Sequence, residues 1–548
     1  MLTKVLVLAG YFAGVLAVGL LAKSRIKDPP SEYFLAGRKF GPLVLLGTMA
    51  ATNFSAFTVF GASGAGYRDG LAFFPIMGFG TGFMAIAFWL VGRKIWKIGK
   101  ENSLVTPPEL VRHIYGNRFL ATIFALVMII FTVPYIALQP WAGGMVLNQL
   151  FDIPQAWGAV IVTGIILLYT LRGGLKAVAW TDILQGILML ALLVTALAVV
   201  VGFHGGWDTA TSAIALENPE LYSRPGGAGT YLPGIWFGFM LLWFFCDPMF
   251  PQLFQRFYSA KSERSIGQMM ILYSIVCSVV FILPVLIGVF GHLSYPELGK
   301  EASDNIISLL AVQAGGDFLG TLVLAAGLAA LMSTMDSQLL TLSSIFTHDL
   351  LPLVRKKSTH PWWMSRIAVV VLAVAGLILA INPPGTILDT AVRHVFTGLA
   401  VLFPSILFGL YVKNPNPLAA IVSIIGGEIL VVLYAIPALN ISSFGLLPAV
   451  PVIAVSVILW LLVSVFTGGI AFRSVRTGHW VYAGIFILIF LLAMDFWRWG
   501  SVGPLFLGLP LWAWWFAWLS VLQSVVMYYW VRFSLNGGNA KRVSQMQQ

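Results

Sequence analysis

Apolar runs of about twenty residues recur from Val5 to Val531, and each is long enough to cross a hydrocarbon layer about 30 Å thick as a helix. Fifteen such windows are legible, near 4–22, 43–66, 71–96, 119–148, 156–171, 178–203, 232–256, 266–292, 318–343, 362–381, 386–412, 417–437, 445–468, 481–497 and 505–531. In hydrocarbon every backbone polar group must be satisfied within the protein, which leaves helices or a closed barrel. The ten-residue alternation of a membrane barrel is absent, so an all-α polytopic membrane protein of about fifteen spans is expected. A mean hydropathy of +0.90 with only 10% charged residues agrees.

The net charge of +11 does not call for nucleic acid, because basic residues in such chains report topology. With loops assigned alternately to two sides, Lys4, Arg68, Arg224, Lys300 and Arg498 fall on one side and Arg393 falls within a span. The other Lys and Arg gather on the opposite side. That split predicts an outside N-terminus and a cytoplasmic C-terminus in the cell membrane. The first run carries its charges after the apolar stretch and lacks a small-residue cleavage signature, so it reads as a retained helix. Cys246 and Cys277 lie at membrane depth and imply neither a disulfide framework nor a metal site. No P-loop and no soluble catalytic module is present, so neither an enzyme nor an ATP-driven pump is expected.

Two spans are interrupted. "LLGTMAATNFSAFTVFGASGAGY" is small and hydroxylated through its middle, and "WFFCDPMFPQLFQRF" holds Asp247, Pro248 and Pro251 at depth. Proline removes a backbone donor and frees carbonyls one turn back, which is tolerated where a helix lines a cavity. The two lie five spans apart, the spacing of a five-plus-five inverted repeat, and paired broken helices point to a transporter binding site. Close helix packing alone would also favour small residues.

A third stretch, "AALMSTMDSQLLTLSS" at 329–344, places many oxygens inside an apolar run. Helical spacing puts Ala330, Ser333, Thr334 and Ser337 on one side with Asp336 beside them. Hydroxyls and freed carbonyls are hard neutral oxygens suited to an alkali cation, although Ser and Thr also bond back to the preceding turn. Asp336 and Asp182 are harder to explain structurally, since a carboxylate at depth costs about 2.5–3.5 kcal/mol and marks ion pathways or pairs. Thr341, Ser343 and Ser344 read as ordinary helix hydroxyls.

The motifs "EYFLAGRKFGP", "AVAWTDILQG", "FPQLFQRFYSAKS" and "AALMSTMDSQLLTLSSIFTHDL", in that order, resemble the sodium:solute symporter family, over about residues 5–440. The resemblance implies a LeuT-type ten-helix core at 43–412, after an extra helix and loop at 1–42. Two additional helices would follow at 413–470, and a C-terminal pair with its tail at 471–548. It implies a main sodium site formed by the carbonyls of Ala51, Phe54 and Ala330 with the hydroxyls of Ser333 and Thr334. A second sodium in some members would correspond to Asp182, Asp336 and Ser337, with Ser333 at its edge. Where several members carry an acid, this chain has Asn53. Substrate would lie between the broken helices and the third and tenth core helices, at Asn53, Ser55, Ala56, Phe57, Tyr135, Gln139, Trp141, Trp243, Asp247, Arg393 and His394.

Sodium as coupling ion, with no other cofactor, is therefore the expectation. Arg393 suits a carboxylate, unless Asp389 one turn earlier pairs with it. "GPLFLGLPLWAWWFAWLSVLQSVVMYYWV" is similar to small two-helix membrane proteins associated with pantothenate-like and monocarboxylate-like symporters, which leans the solute toward a small organic anion. A proton-coupled carrier using Asp182, Asp336 and His394, or a sensor on the same scaffold, is the alternative. Oligomeric state is not legible.

Overall fold

The computed structural model describes residues 1–21, 30–354, 363–381 and 386–546. Almost every element is a helix, because the apolar runs leave no other way to satisfy the backbone. Those that bear on the site are α1 (Leu2–Leu21), α2 (Pro42–Asn53), α3 (Ala62–Asp69), α4 (Phe73–Glu101), α5 (Arg118–Phe151), α6 (Gln155–Phe203), α7 (Pro233–Cys246) and α8 (Pro251–Ser259). Then come α9 (Glu263–Phe290), α10 (Ile306–Ile345), α11 (Trp363–Ile381), α12 (Pro417–Ala435), α13 (Ala449–Phe466), α14 (Gly478–Leu492) and α15 (Leu511–Met546).

Among the described residues 11 helices are long and apolar enough to cross a membrane, or 12 if the bent pair α7 and α8 counts as one span. This is fewer than the fifteen windows, for identifiable reasons. Windows 156–171 and 178–203 lie on either side of Gly174, whose φ of 59° and ψ of −169° are open to glycine and kink α6 there into two helices, so a length criterion counts them once. Windows 43–66 and 386–412 are broken into short pieces that no length criterion admits.

Both expected interruptions are present. α2 ends at Phe54 (φ −85°, ψ 97°), and the chain re-enters through a π-helical turn, Phe57–Gly61. α7 passes through a 3-10 turn, Asp247–Met249, into α8 with a 56° bend. A third irregular segment was not expected: Ile387–Ala391 continues as a π-helical turn, Val392–Phe396, before Thr397–Ala400 and Phe403–Tyr411. α10 packs along α6, and α9 along α4 and α3, so the broken helices lie within a sleeve of continuous ones.

The C-terminal pair is part of the same body. α15 lies on α9 and α4, where Ser278 donates to Ser520 at 2.7 Å and the Gln523 amide donates to the Gly82 carbonyl and the Ser274 hydroxyl, both at 2.7 Å. At one end, Arg224 from the segment between α6 and α7 makes a buried bidentate ion pair with Asp495, between α14 and α15. Its guanidinium lies 4.7 Å from the Trp512 ring centroid and 5.5 Å from that of Trp499.

Candidate functional site

The α2 break and the middle of α10 meet in a cluster of neutral oxygens. The Ser333 hydroxyl donates to the Ala51 carbonyl at 2.9 Å and to the Ala330 carbonyl at 3.0 Å. Thr334 donates to the Thr52 carbonyl at 3.0 Å and to Ala330 at 3.2 Å. Four of the five residues expected around the main sodium are thus in mutual contact, and Phe54, the fifth, is the cap at which α2 ends. Ala51, Phe54, Ala330, Ser333 and Thr334 are all buried. The donor set is carbonyl and hydroxyl only, the chemistry that suits an alkali cation.

One turn along, the structure departs from expectation. Asp182, Asp336 and Ser337 were assigned to a second sodium, yet the guanidinium of Arg256, from α8, reaches into this group. Its Nη2 lies 3.1 Å from Asp182 Oδ2, 2.6 Å from Ser337 Oγ, 2.8 Å from Thr52 Oγ1 and 3.2 Å from Thr48 Oγ1. Thr48 also donates to Asp182, and Ser337 donates to Asp336 Oδ1 at 3.2 Å. Arg256 and Asp182 are both fully buried. A fixed organic cation therefore shares these oxygens, and Arg393 is not the sole basic residue within the spans. The reason is geometric: the 56° bend at Pro251 turns α8 inward, so a residue at the end of an apolar run points to the centre. Asp182 Oδ1 and Asp336 Oδ2 remain buried without a hydrogen-bond partner.

The chain that follows the α2 break enters a packed aromatic cluster. Phe396 sits 5.8 Å from Phe57, 5.4 Å from Tyr135, 5.4 Å from Trp243 and 5.2 Å from Phe250, ring centroid to centroid. Polar groups adjoin it through the same residues. Tyr135 donates to Ser55 Oγ at 3.1 Å, the Ala56 N–H donates to Gln139 Oε1 at 3.1 Å, and Asn53 donates to Tyr273 at 3.0 Å. Asp247 accepts from the Cys246 thiol at 3.0 Å. Asn53, Ser55, Ala56, Phe57, Tyr135, Gln139, Trp243 and Asp247 are therefore brought together.

Trp141 is not. It stands two residues past Gln139, about 200° round the helix, and its carbonyl accepts from Gln155 at the start of α6. The side chains of Arg393 and His394 lie outside the described residues; their backbone belongs to the π-helical turn Val392–Phe396. Asp389, the alternative partner for Arg393, forms an ion pair with Lys300 at 2.9 Å.

Phe250, Tyr273, Phe396 and Arg256 were missed as site residues. Phe250 precedes Pro251 and so marks the break itself, and Arg256 lies in the quoted motif "FPQLFQRF"; both carried a signal. Phe396 and Tyr273 carried none, being single aromatics in apolar helices. Thr341 is more than a back-bonded hydroxyl: it donates to Gln255 Oε1 at 2.7 Å, and Gln255 donates to Ser344 at 3.2 Å.

Comparison with known proteins places this geometry. A sodium/proline symporter of Staphylococcus aureus (strain bovine RF122 / ET3-1) is 28% identical over 480 residues, spanning 84% of this chain and 92% of the relative. The solved structure of a sodium-coupled sialic acid symporter, in a substrate-bound outward-open state, superposes with a TM-score of 0.70 at 19% identity, covering 86% of this chain and 99% of the other. A nucleobase-cation-symport-1 family transporter, closed with bromovinylhydantoin bound, superposes at 0.50 with 14% identity over 93% and 97%. These two superpositions speak to the fold, which is LeuT-type. The sodium:solute symporter family model matches residues 33–427, and the chain belongs to that family, whose members are transporters and not enzymes.

Proposed function

We propose that the chain couples sodium entry to the uptake of a small organic solute carrying a carboxylate, by alternating access around the two broken helices. The convergence of the Ser333 and Thr334 hydroxyls with the Ala51 and Ala330 carbonyls at the α2 break supports it most strongly. In this reading Phe54 supplies a further carbonyl. The solute binds among Phe57, Tyr135, Trp243 and Phe396, whose rings must part to admit it, with Ser55 and Gln139 to orient it and Arg393 to meet its carboxylate. Proline and sialic acid, named for the relatives, are both carboxylates. The ten-helix core is residues 43–412 in the cell membrane, with the N-terminus outside and the C-terminus cytoplasmic.

Energy permits the coupling. One charge moving down about 100 mV gains roughly 2.3 kcal/mol, and a tenfold sodium gradient adds about 1.4. A neutral or zwitterionic solute could thus be accumulated several hundred-fold on one sodium. A monoanion would move with one sodium without net charge, and the voltage would help only if a second cation travelled too.

A second cation has an observation of its own. Two carboxylates, Asp182 and Asp336, face one guanidinium, and one oxygen of each is unpartnered. That leaves one negative charge for a proton or a second sodium to balance.

The test is binding and uptake of a panel of carboxylates, amino acids and sugars by the purified chain in liposomes, with sodium or choline outside at fixed pH. Uptake of a carboxylate in sodium only, lost on Ser333→Ala or Thr334→Ala, is expected. Equal uptake in choline sinks the sodium reading. Uptake that follows an imposed pH gradient without sodium assigns the coupling to protons instead.

A further inference from the structure

A buried acid lies on an element that contributes nothing to the oxygen cluster or the aromatic cluster. Glu428 is the twelfth of the 19 residues of α12, close to the middle of a span. Both its carboxyl oxygens are buried and neither has a hydrogen-bond partner. A carboxyl at that depth is costly and marks a function or a partner.

Its side chain lines an otherwise apolar groove of about 380 Å³ between α12 and α5, together with Ile123, Val127, Ile424, Ile429 and Val432. Ile429 and Val432 are each 55% exposed, on the side that faces lipid. The groove is therefore entered from the bilayer, by a molecule already dissolved there. Its volume is that of a small-molecule pocket, too small for a helix. Two orphaned oxygens with nothing but hydrocarbon around them define the missing group. A hydroxyl offers one donor, whereas an ammonium offers three and a charge opposite to the carboxylate's.

We propose that the α5–α12 groove is a binding site for a lipophilic amine, its head on Glu428 and its hydrocarbon tail along Ile123, Val127, Ile429 and Val432. The site is independent of the transport reading above and stands or falls separately.

The experiment uses the full chain in lipid nanodiscs, dicyclohexylcarbodiimide and dodecylamine. The reagent adds across a carboxyl, whose oxygen bonds to the central carbon while its proton goes to nitrogen. If no amine is near, the adduct rearranges to an N-acylurea that keeps the whole reagent. If an amine is seated, its nitrogen attacks the acyl carbon, an amide forms, and dicyclohexylurea leaves with the oxygen. Peptide mass spectrometry distinguishes the two products at Glu428. Dodecylamine is expected to convert the product to the amide, and an equal concentration of dodecanol is expected to leave the N-acylurea. Filling the groove with Val432→Trp, which keeps Glu428, should lower the amide yield roughly tenfold or more. An N-acylurea unchanged by dodecylamine overturns the proposal. So does amide formation that Val432→Trp leaves intact. Labelling that appears only when the protein is diluted in lipid would show the groove to be covered by a second copy, and would overturn it equally.

Discussion

Arg256 ties three helices to its own. It touches α2 through Thr48 and Thr52, α6 through Asp182 and α10 through Ser337. Removing one partner of a buried ion pair leaves the other charge stranded and costs about 3–5 kcal/mol. Arg256→Ala should therefore lower thermal stability in nanodiscs markedly. Arg256→Lys should recover only part, because an ammonium keeps the charge without the planar reach to four oxygens. An unfolding midpoint equal to the parent's for Arg256→Ala would refute this. The buried oxygens of α10 were legible because polarity inside an apolar run is conspicuous. Arg256 stands at the end of the 232–256 window, and hydropathy registers how apolar a window is, not where a proline bend aims it. Trp141 shares a short motif with Gln139 but not a helix face, a distinction that motif spacing does not register.

Glu109, outside the spans in the short helix Pro107–Tyr115, ties acidity to stability. Burial pushes its carboxyl up, but His348 at 3.4 Å and the N–H groups of Val105 and Thr106 outweigh that and hold it below the ordinary value. A folded pKa below the unfolded one gives stability that is present above the unfolded value and is lost as pH falls through the folded one. Glu109→Gln should therefore lose about 1.5–3 kcal/mol at neutral pH, with the gap to the parent closing below about pH 4. Thermal unfolding across pH 3.5–7 checks it.

At the scale of elements, the broken helix is held by how closely backbones approach. A Cβ added at Gly288 of α9 would lie 2.0 Å from the Ser63 carbonyl oxygen and 2.8 Å from the Tyr67 nitrogen, both backbone atoms of α3. Small residues let membrane helices pack on their backbones in this way. Gly288→Ala should cost about 1–3 kcal/mol through overpacking, whereas Gly14→Ala, with nothing within 4 Å, should be near neutral. Equal unfolding midpoints for the two would show that α3 and α9 yield freely. The same end of α3 carries a latch. Arg68 donates to Asp304 Oδ1 at 3.0 Å, and Asp304 Oδ2 accepts the Ile387 N–H at 2.7 Å, joining α3, the start of α10 and the segment that leads to Phe396. Asp304→Asn should loosen all three and speed amide hydrogen exchange over 62–69 roughly tenfold, the equivalent of about 1.4 kcal/mol. Unchanged exchange there would mean the latch is idle. Both expected breaks were legible, because proline and hydroxyl-rich runs announce them. The third, near Val392, was not, since π-helical turns leave no compositional mark.

For the whole molecule, the pattern of apolar runs was enough to read an all-helical membrane fold, and four short motifs were enough to read its family. How the pieces seat against one another was not in the pattern. The contact of α15 with α9 and α4 combines aromatic packing, Phe79 on Phe516 and Trp89 on Trp530, with single polar residues, Ser278, Ser520 and Gln523, scattered far apart along the chain. The buried Arg224–Asp495 pair adds a fastening at one end of the α14–α15 hairpin, while the exposed segment 467–477, itself bridged to Tyr411–Lys413, joins its other end to α13. A covalent joint acts by effective concentration, in the millimolar range for a short flexible link. With a desolvated ion pair, three tryptophans around Arg224 and a hydrogen-bonded helix face already in place, that joint is dispensable. Two polypeptides divided within 467–477 and expressed together should assemble and copurify, and Arg224→Ala should separate them, so the C-terminal hairpin behaves as a subunit that happens to be covalently attached.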